Sequence, residues 1–130
     1  MPELDDEIKA ILRGPNFAHI GTVNPDGTPQ VNPVWVDVEG DRPVFNTVVG
    51  RQKERNLRRD PRVTLELLDP DNPYGYVEIR GTVELTEVGA EDQIDALSRK
   101  YTGRDYQWRK PGQRRIKVYV NPTKVHSSLG

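Results

Sequence analysis

The segment YVEIRGTVEL, residues 76–85, alternates strictly between two kinds of side chain. Its odd-numbered positions are Val, Ile, Gly, Val and Leu, and its even-numbered positions are Tyr, Glu, Arg, Thr and Glu. A period of two is that of a β-strand with one face buried and the other exposed. The segment therefore predicts a strand of an antiparallel sheet, and it restricts the fold to architectures that cover one face of that sheet.

Five other segments predict strands, because apolar or alternating residues are bounded in each by turn residues. They are FAHIGTV (17–23), TPQVNPVWVDVEG (28–40), RPVFNTVV (42–49), VTLELLD (63–69) and RRIKVYV (114–120). The second is predicted as one long strand with Val34, Val36 and Val38 on one face. Pro33 inside it predicts an edge or a bulge, since proline donates no ladder hydrogen bond.

Helices are predicted at two places in addition to these strands. Leu4–Arg13 has an acidic first turn and ends at GP, and GAEDQIDALSRKYTG (89–103) has a buried stripe of Ala90, Ile94, Leu97 and Tyr101. The 11 glycines and 11 prolines are typical of many short turns. Six short strands joined mostly by hairpins predict one mainly β domain over residues 1–130, a closed or partly closed antiparallel barrel.

Composition excludes several classes of function. The net charge of −1 argues against general binding to nucleic acid or to an anionic membrane. The chain has no cysteine, and His19 and His126 are its only histidines, so no metal centre is expected. The sequence shows neither a leader pattern nor an apolar run of about 18 residues, and a cytoplasmic location is predicted.

Positive charge is concentrated in GRQKERNLRRDPRV, residues 50–63, where six Arg or Lys residues accompany one Glu and one Asp. The segment follows an apolar strand and is predicted to be helical. Arg51 and Lys53 would lie in the first turn, where the helix dipole disfavours a cation unless an anion offsets it. Backbone amides at a helix start also bind anions. Composition alone leaves open an anion site and a solvated surface helix, in which Arg58 and Arg59 would suit the helix end.

Five motifs together resemble a known superfamily: PDGTPQVNPVW, NTVVGRQK, RNLRRDPRV, YVEIRGTVEL and LSRKYTGRDY. Their order and spacing over about residues 17–125 resemble the pyridoxamine-5′-phosphate-oxidase-like flavin and deazaflavin oxidoreductases. Within that superfamily the chain is similar to the small actinobacterial branch that uses the deazaflavin coenzyme F420. The resemblance implies a six-stranded split β-barrel with a few short helices. It also implies a homodimer with two cofactor sites at the dimer interface.

The resemblance further implies a set of cofactor-binding residues. These are Asn32, Pro33, Val34, Trp35, Thr47, Gly50, Arg51, Lys53, Asn56, Tyr76 and Glu78. Lys53 matches the lysine that holds the cofactor phosphate, with Arg51 and Asn56 at the same anionic end. Thr47 matches a residue that bonds near the ring or phosphate, and the strand 32–35 runs along the ring.

Tyr76 and Glu78 match positions that approach the site from the other subunit. The simpler interpretations also stand: packing for Trp35 and Trp108, and a structural role for His19. A longer anionic tail, as in F420, would need a cationic groove. Candidates for that groove are Arg55, Arg58, Arg59, Lys110, Arg114 and Arg115.

The activity that the resemblance implies is hydride transfer from reduced F420 to a small unsaturated acceptor such as an enone or a quinone. No residue is identified as the proton donor; Tyr76 and solvent are the alternatives. Three other functions stay open: an FMN-dependent enzyme like pyridoxamine phosphate oxidase, a non-catalytic F420 or FMN carrier, and a haem binder using His19. The oxidase itself carries a longer basic C-terminal part than the sequence shows after NPTKVHSSLG, which favours the reductase.

Overall fold

The computed structural model of the protein describes residues 2–129, and within that range the chain forms three helices and seven strands. In chain order they are α1 (Asp6–Arg13), β1 (Ala18–Val23), β2 (Pro29–Val34), β3 (Asp37–Glu39), β4 (Arg42–Val48), α2 (Gln52–Arg59), β5 (Arg62–Asp69), β6 (Asn72–Thr86), α3 (Ala90–Thr102) and β7 (Arg115–Ser127). No helix in the described range is long and apolar enough to cross a membrane.

All seven strands belong to one antiparallel sheet with the order β2-β1-β5-β6-β7-β4-β3. The long alternating segment is the centre of β6, and Val77 and Ile79 on its predicted inner face are completely buried. They join a single core with Phe45, Leu65 and residues of α1. The predicted β architecture and the position of Pro33 on an edge strand are confirmed.

The prediction of one strand over residues 28–40 was wrong, and this accounts for seven strands instead of six. The chain leaves the sheet after Val34 and rejoins it at its opposite edge as β3. Tyr101 of α3 holds the crossing point: its hydroxyl accepts from the Val36 amide at 3.0 Å and donates to the Asn16 carbonyl at 2.6 Å. Lys100 also donates to the carbonyls of Val36 and Leu12. These bonds replace ladder bonds for Val36.

Buried polar contacts fix α2 against β1 and β2. The Asn56 side chain is completely buried, and its amide nitrogen donates to Thr22 Oγ1 at 3.1 Å and to Asn24 Oδ1 at 3.0 Å. The buried Glu54 accepts from the Gly50 amide at 2.8 Å and pairs with Arg58. Gly50 itself has a φ of +97°, which disfavours other residues. The start of α2 is therefore held in one position.

β7 is longer than predicted and extends to Ser127. His126 is paired in this strand with Glu78 of β6. A bulge between Arg80 and Gly81 adjusts the register, and a Cβ on Gly81 would lie 2.2 Å from the Asn121 carbonyl oxygen. Only glycine fits there without a backbone shift.

Candidate active-site cleft

A cleft of about 300 Å³ lies between the end of β2, the start of α2, α3 and the loop before β7. Its lining residues are Phe17, Asn32, Pro33, Val34, Trp35, Asn46, Arg51, Lys53, Ile94, Leu97, Tyr106, Trp108 and Arg115. Three of these side chains are cationic, and none of the described lining residues is Asp or Glu. Six of the eleven residues predicted for the cofactor site are among them. The cleft thus combines apolar walls with uncompensated positive charge.

Lys53 is the most informative of these cations. It is 7% exposed, and its Nζ lies 3.5 Å from Asn32 Oδ1 and 5.9 Å from the centre of the Phe45 ring. Burial, with the charge of Arg51 adding to it, lowers the pKa of Lys53 to about 8. Within residues 2–129 no carboxylate forms an ion pair with it. A buried ammonium without a counter-ion is costly, so an anionic ligand would relieve it.

The start of α2 adds a second cation, Arg51, to the cleft. Arg51 is the N-cap residue, its side chain is exposed beside the cleft, and it makes no side-chain capping bond. Two cations at positions N-cap and N2 oppose the helix dipole, as the sequence indicated. The Gly50 amide, however, is bonded to Glu54 and is not free for a ligand. The groups that could bind an anion here are therefore mainly side-chain cations.

Arg115 is a second buried cation of the cleft, with 5% exposure. Its guanidinium donates to Asn46 Oδ1 at 3.2 Å and to Tyr106 Oη at 2.9 Å, and it lies 4.6 Å from the centre of the Tyr106 ring. The Nε of Arg115 is buried and has no partner among the described residues. The group is fixed in orientation and retains an unused donor.

Aromatic rings form a continuous wall beside these cations. The Trp35 ring stacks on Tyr101 at 5.4 Å and 16°, and it meets Tyr106 edge-on at 6.2 Å. Tyr106 in turn meets Trp108 at 5.5 Å. Trp35 packs on Tyr101 as the simpler interpretation predicted, whereas Trp108 contacts Tyr106 but is 53% exposed, and both line the cleft. A flat, partly apolar ligand fits such a wall.

Thr47 and Asn56 lie near the cleft without lining it. Thr47 of β4 is completely buried, and its Oγ1 has no hydrogen-bond partner among residues 2–129. Asn56 uses both hydrogens of its amide to hold α2 on β1, as described above. The structure gives Asn56 a role in positioning the helix, because its side chain is not free to reach a ligand.

Tyr76 and Glu78 lie outside the cleft, on the face of β6 opposite the core residues Val77 and Ile79. The Tyr76 hydroxyl is 3.4 Å from His126 Nε2, and Glu78 accepts from Arg80 Nε at 2.7 Å. Glu78 borders a separate surface depression that His19 also lines. The structure of one chain therefore does not bring these residues to the cleft, and their predicted approach from a second subunit stays a prediction. His19 lies outside the cleft as well, so it is not an axial ligand within it.

Most cations proposed for a tail groove have partners within the chain. Arg58 pairs with Glu54, Arg59 donates to the Val23 carbonyl, and Arg114 pairs with Glu87 at 2.7 Å. Arg55 donates to Gln52, and Lys110 is exposed in the loop before β7. Of that set, only Arg115 lines the cleft.

The sequence did not indicate Asn46 or Tyr106 as site residues, and it indicated Arg115 only as a candidate for the tail groove. In strand β7, Arg115 occupies the face opposite the core residues Ile116 and Val118, so alternation predicts exposure. It is buried because α3 covers that face of β4 and β7, with Asn46 Nδ2 donating to the Ala90 carbonyl at 2.9 Å. In the sheet Arg115 is paired with Val48, and Asn46, two residues before Val48 on the same face of β4, is its diagonal neighbour, so the contact could be predicted only once the pairing of β4 with β7 is known.

Solved structures share this fold over nearly the whole chain. An F420 reductase is 34% identical, with a TM-score of 0.80, and the match covers 97% of this chain and 98% of that one. The conserved protein Rv2991 from Mycobacterium tuberculosis is 26% identical, with a TM-score of 0.78, over 98% and 85% of the two chains. A proposed pyridoxamine 5′-phosphate oxidase from Listeria innocua, 21% identical with a TM-score of 0.76 over 98% and 100%, is similar in fold alone.

The family described as Pyridoxamine 5'-phosphate oxidase matches residues 4–127. The chain belongs to this superfamily of split-barrel-like proteins, in the branch that includes the solved F420 reductase. The resemblance seen in the five sequence motifs is thereby confirmed.

Proposed function

We propose that the protein is an F420-dependent reductase that transfers a hydride from reduced F420 to a small unsaturated acceptor such as an enone or a quinone. The observation that carries the proposal is the buried Lys53, which has no carboxylate partner among residues 2–129 and lies in a cleft whose described lining contains no Asp or Glu. The 34% identity to an F420 reductase over 97% of the chain supports the choice of cofactor.

The residues of the cleft fit a phosphorylated, planar cofactor. Lys53 and Arg51 would hold the phosphate, since both cations face a region without acidic residues. The ring would lie along residues 32–35, where the edge strand β2 ends after Val34 and the aromatic wall begins. Thr47 is completely buried and does not line the cleft, so its contact with the cofactor stays a prediction. The same fit applies to the phosphate of FMN, which remains the alternative cofactor.

When bound, a reduced deazaflavin supplies a hydride from the ring carbon that replaces flavin N5. The protein's contribution is to bind, orient and shield. Trp35, held on Tyr101, gives a rigid surface for stacking, and the fixed position of α2 places Lys53. Holding the donor and acceptor about 3–3.5 Å apart supplies much of the rate enhancement in such reactions.

A homodimer with cofactor sites at its interface is part of the proposal. The cleft of one chain, about 300 Å³, is at the lower end of the range for small-molecule sites. A second subunit would enlarge it and would bring Tyr76 and Glu78 to the cofactor. We also propose a cytoplasmic location. Light scattering at micromolar concentration tests the dimer, and a monomer that still binds cofactor would contradict it.

The test of the proposed function is a fluorescence titration of the purified protein with F420 and, separately, with FMN. We expect tight binding of F420 and weak binding of FMN, followed by turnover of the reduced cofactor with enones or quinones. A preference for FMN would favour the flavin-dependent alternative. F420 binding without turnover of any acceptor would favour a carrier, and binding of neither cofactor would contradict the proposal.

A further inference from the structure

The polar network around Arg115 has more donors than acceptors. Arginine cannot accept a hydrogen bond, so Tyr106 Oη must be the acceptor in its 2.9 Å bond with Arg115. The hydroxyl proton of Tyr106 then has no acceptor within residues 2–129, and Arg115 Nε also lacks a partner. Both residues line the cleft. The Tyr106 hydroxyl therefore has an unused donor in a residue that lines the cleft, beside the buried positive charge of Arg115, whereas Arg115 Nε is enclosed by protein.

The network is rigid as well as rich in donors. Asn46 Oδ1 accepts from Arg115, and Asn46 Nδ2 donates to the Gln93 side chain at 3.0 Å. The Tyr106 amide donates to Asp95 Oδ1 at 3.0 Å, and Arg109 binds the same carboxylate. The loop that carries Tyr106 is thus tied to α3. Donors fixed in advance stabilise developing negative charge better than mobile ones.

We propose that Arg115 and Tyr106 form an oxyanion site for the carbonyl oxygen of the acceptor, and that Tyr106 supplies the proton that completes its reduction. This inference rests on the proposed function and narrows the substrate class to conjugated carbonyl compounds. Tyr106 is then a catalytic residue that touches the substrate oxygen.

The electron balance of the step is as follows. The hydride, which under the proposed function would leave a C–H bond of reduced F420 and so oxidise that cofactor, forms a C–H bond at the β-carbon of the enone and breaks the C=C π bond. The electron pair moves to the carbonyl oxygen, where the guanidinium of Arg115 and the Tyr106 hydroxyl stabilise the enolate. The proton passes from Tyr106 Oη to that oxygen, and the resulting enol becomes the saturated carbonyl compound in water. The tyrosinate beside Arg115 regains a proton from solvent.

The kinetic test uses Tyr106→Phe with Tyr119→Phe as its matched control. Tyr119 also carries an arginine over its ring, Arg42 at 4.1 Å, and is not part of the cleft. With cyclohex-2-enone and saturating reduced F420, we expect Tyr106→Phe to lower kcat about 100-fold, the value of general acid catalysis. F420 affinity should change less than about threefold. A kcat within threefold of wild type would overturn the role of Tyr106.

A cofactor-free test uses 4-nitrophenolate, whose delocalised oxygen resembles an enolate. We expect Arg115→Gln to weaken its binding, followed by absorbance, at least about tenfold, because a charged donor is lost. The neighbouring Arg114→Gln, which removes an exposed cation paired with Glu87, is the control and should bind the probe normally. Equal binding by Arg115→Gln and wild type would overturn the oxyanion site.

The two proposals fail in different ways. If wild type binds neither F420 nor FMN, the proposed function is wrong, while the phenolate titration still tests the oxyanion site. If Arg115→Gln and Tyr106→Phe weaken F420 binding as strongly as Lys53→Ala does and keep the wild-type kcat at saturation, the pair belongs to the cofactor site. That result would overturn the inference and leave the reductase proposal intact.

Discussion

Two lysines with little exposure, Lys53 in the cleft and Lys117 on β7, differ in what neutralises them. Lys117 Nζ lies 2.7 Å from Glu39 Oε1, and although burial lowers its pKa, hydrogen bonds to Glu39 and Tyr119 raise it above its usual value. Burial and the charge of Arg51 lower the pKa of Lys53, and no described carboxylate offsets this. The chain supplies a counter-ion for Lys117, whereas at Lys53 a ligand would have to supply it.

The same contrast separates Arg115 from Arg114, which are neighbours in sequence. Arg114 is exposed and paired with Glu87, whereas Arg115 is buried and has no carboxylate partner among residues 2–129. A protein with 20 acidic residues has many ways to neutralise a cation. Cations that remain buried and unpaired are therefore better indicators of a binding site than the density of positive charge along the sequence.

The largest effect is expected for Lys53→Ala. It should weaken F420 binding by about 1.5–3 kcal/mol, or roughly 10- to 150-fold, which is the value of hydrogen bonds to charged groups. Lys117→Ala removes a lysine whose partner is internal, and it should bind F420 normally. Fluorescence titration of both variants measures the difference, and unchanged affinity in Lys53→Ala would remove Lys53 from the site.

The sequence predicted those parts of the fold that local patterns determine. Alternation in residues 76–85 identified the inner face of β6, and the apolar stripe of residues 90–101 identified α3. It did not predict the division of residues 28–40 into β2 and β3. That division depends on hydrogen bonds between Val36 and Tyr101, which are 65 residues apart, and no local sequence pattern indicates such bonds.

Part of the candidate cleft was predicted through the motifs on β2 and at the start of α2, and residues 32–35, Arg51 and Lys53 lie together in it. Tyr106 was not predicted, and Arg115 was named only for a tail groove, because the position of both depends on α3 covering the outer face of β7. Asn56 was assigned to the ligand, yet its buried amide binds β1, and only the packing of α2 on the sheet shows this.

A second prediction concerns stability without ligand. Lys53→Met should raise the free energy of unfolding by about 1–2 kcal/mol at pH 7, because it removes a desolvated charge and keeps the apolar stem. The folded-state pKa of about 8 is below the unfolded value of 10.5. Between those values the unfolded state binds more protons, so wild-type stability rises with pH and the advantage of Lys53→Met shrinks. Urea unfolding at pH 7 and pH 9 measures both effects, and a loss of stability at pH 7 would indicate an internal partner.

A third prediction concerns pH and binding. Lys53 has a pKa of about 8 in the free protein, and a bound anion stabilises its charged form and raises that pKa. The complex then holds more protons than the free protein above pH 8, so F420 affinity should fall as pH rises, by about tenfold between pH 7 and pH 9. The arginine in Lys53→Arg does not titrate in this range, so the part of the pH dependence of F420 affinity that Lys53 causes should be absent in this variant. Equal slopes in both proteins would show that Lys53 does not contact the anion.

The smallest effect is expected for Lys117→Met, and it should have the opposite sign to Lys53→Met. Glu39 is about half exposed, so its ion pair with Lys117 contributes only about 0.2–1 kcal/mol, and losing it should lower stability by that amount. The sign of the change in the free energy of unfolding is more informative than its size, because Lys53→Met and Lys117→Met remove the same charge and keep a stem of similar length. Urea unfolding of the two variants at pH 7 compares them directly. If both variants were stabilised, the ion pair with Glu39 would not compensate for burial of Lys117. If both were destabilised, Lys53 would have a counter-ion within the protein, and its role as an anion-binding residue would lose its physical basis.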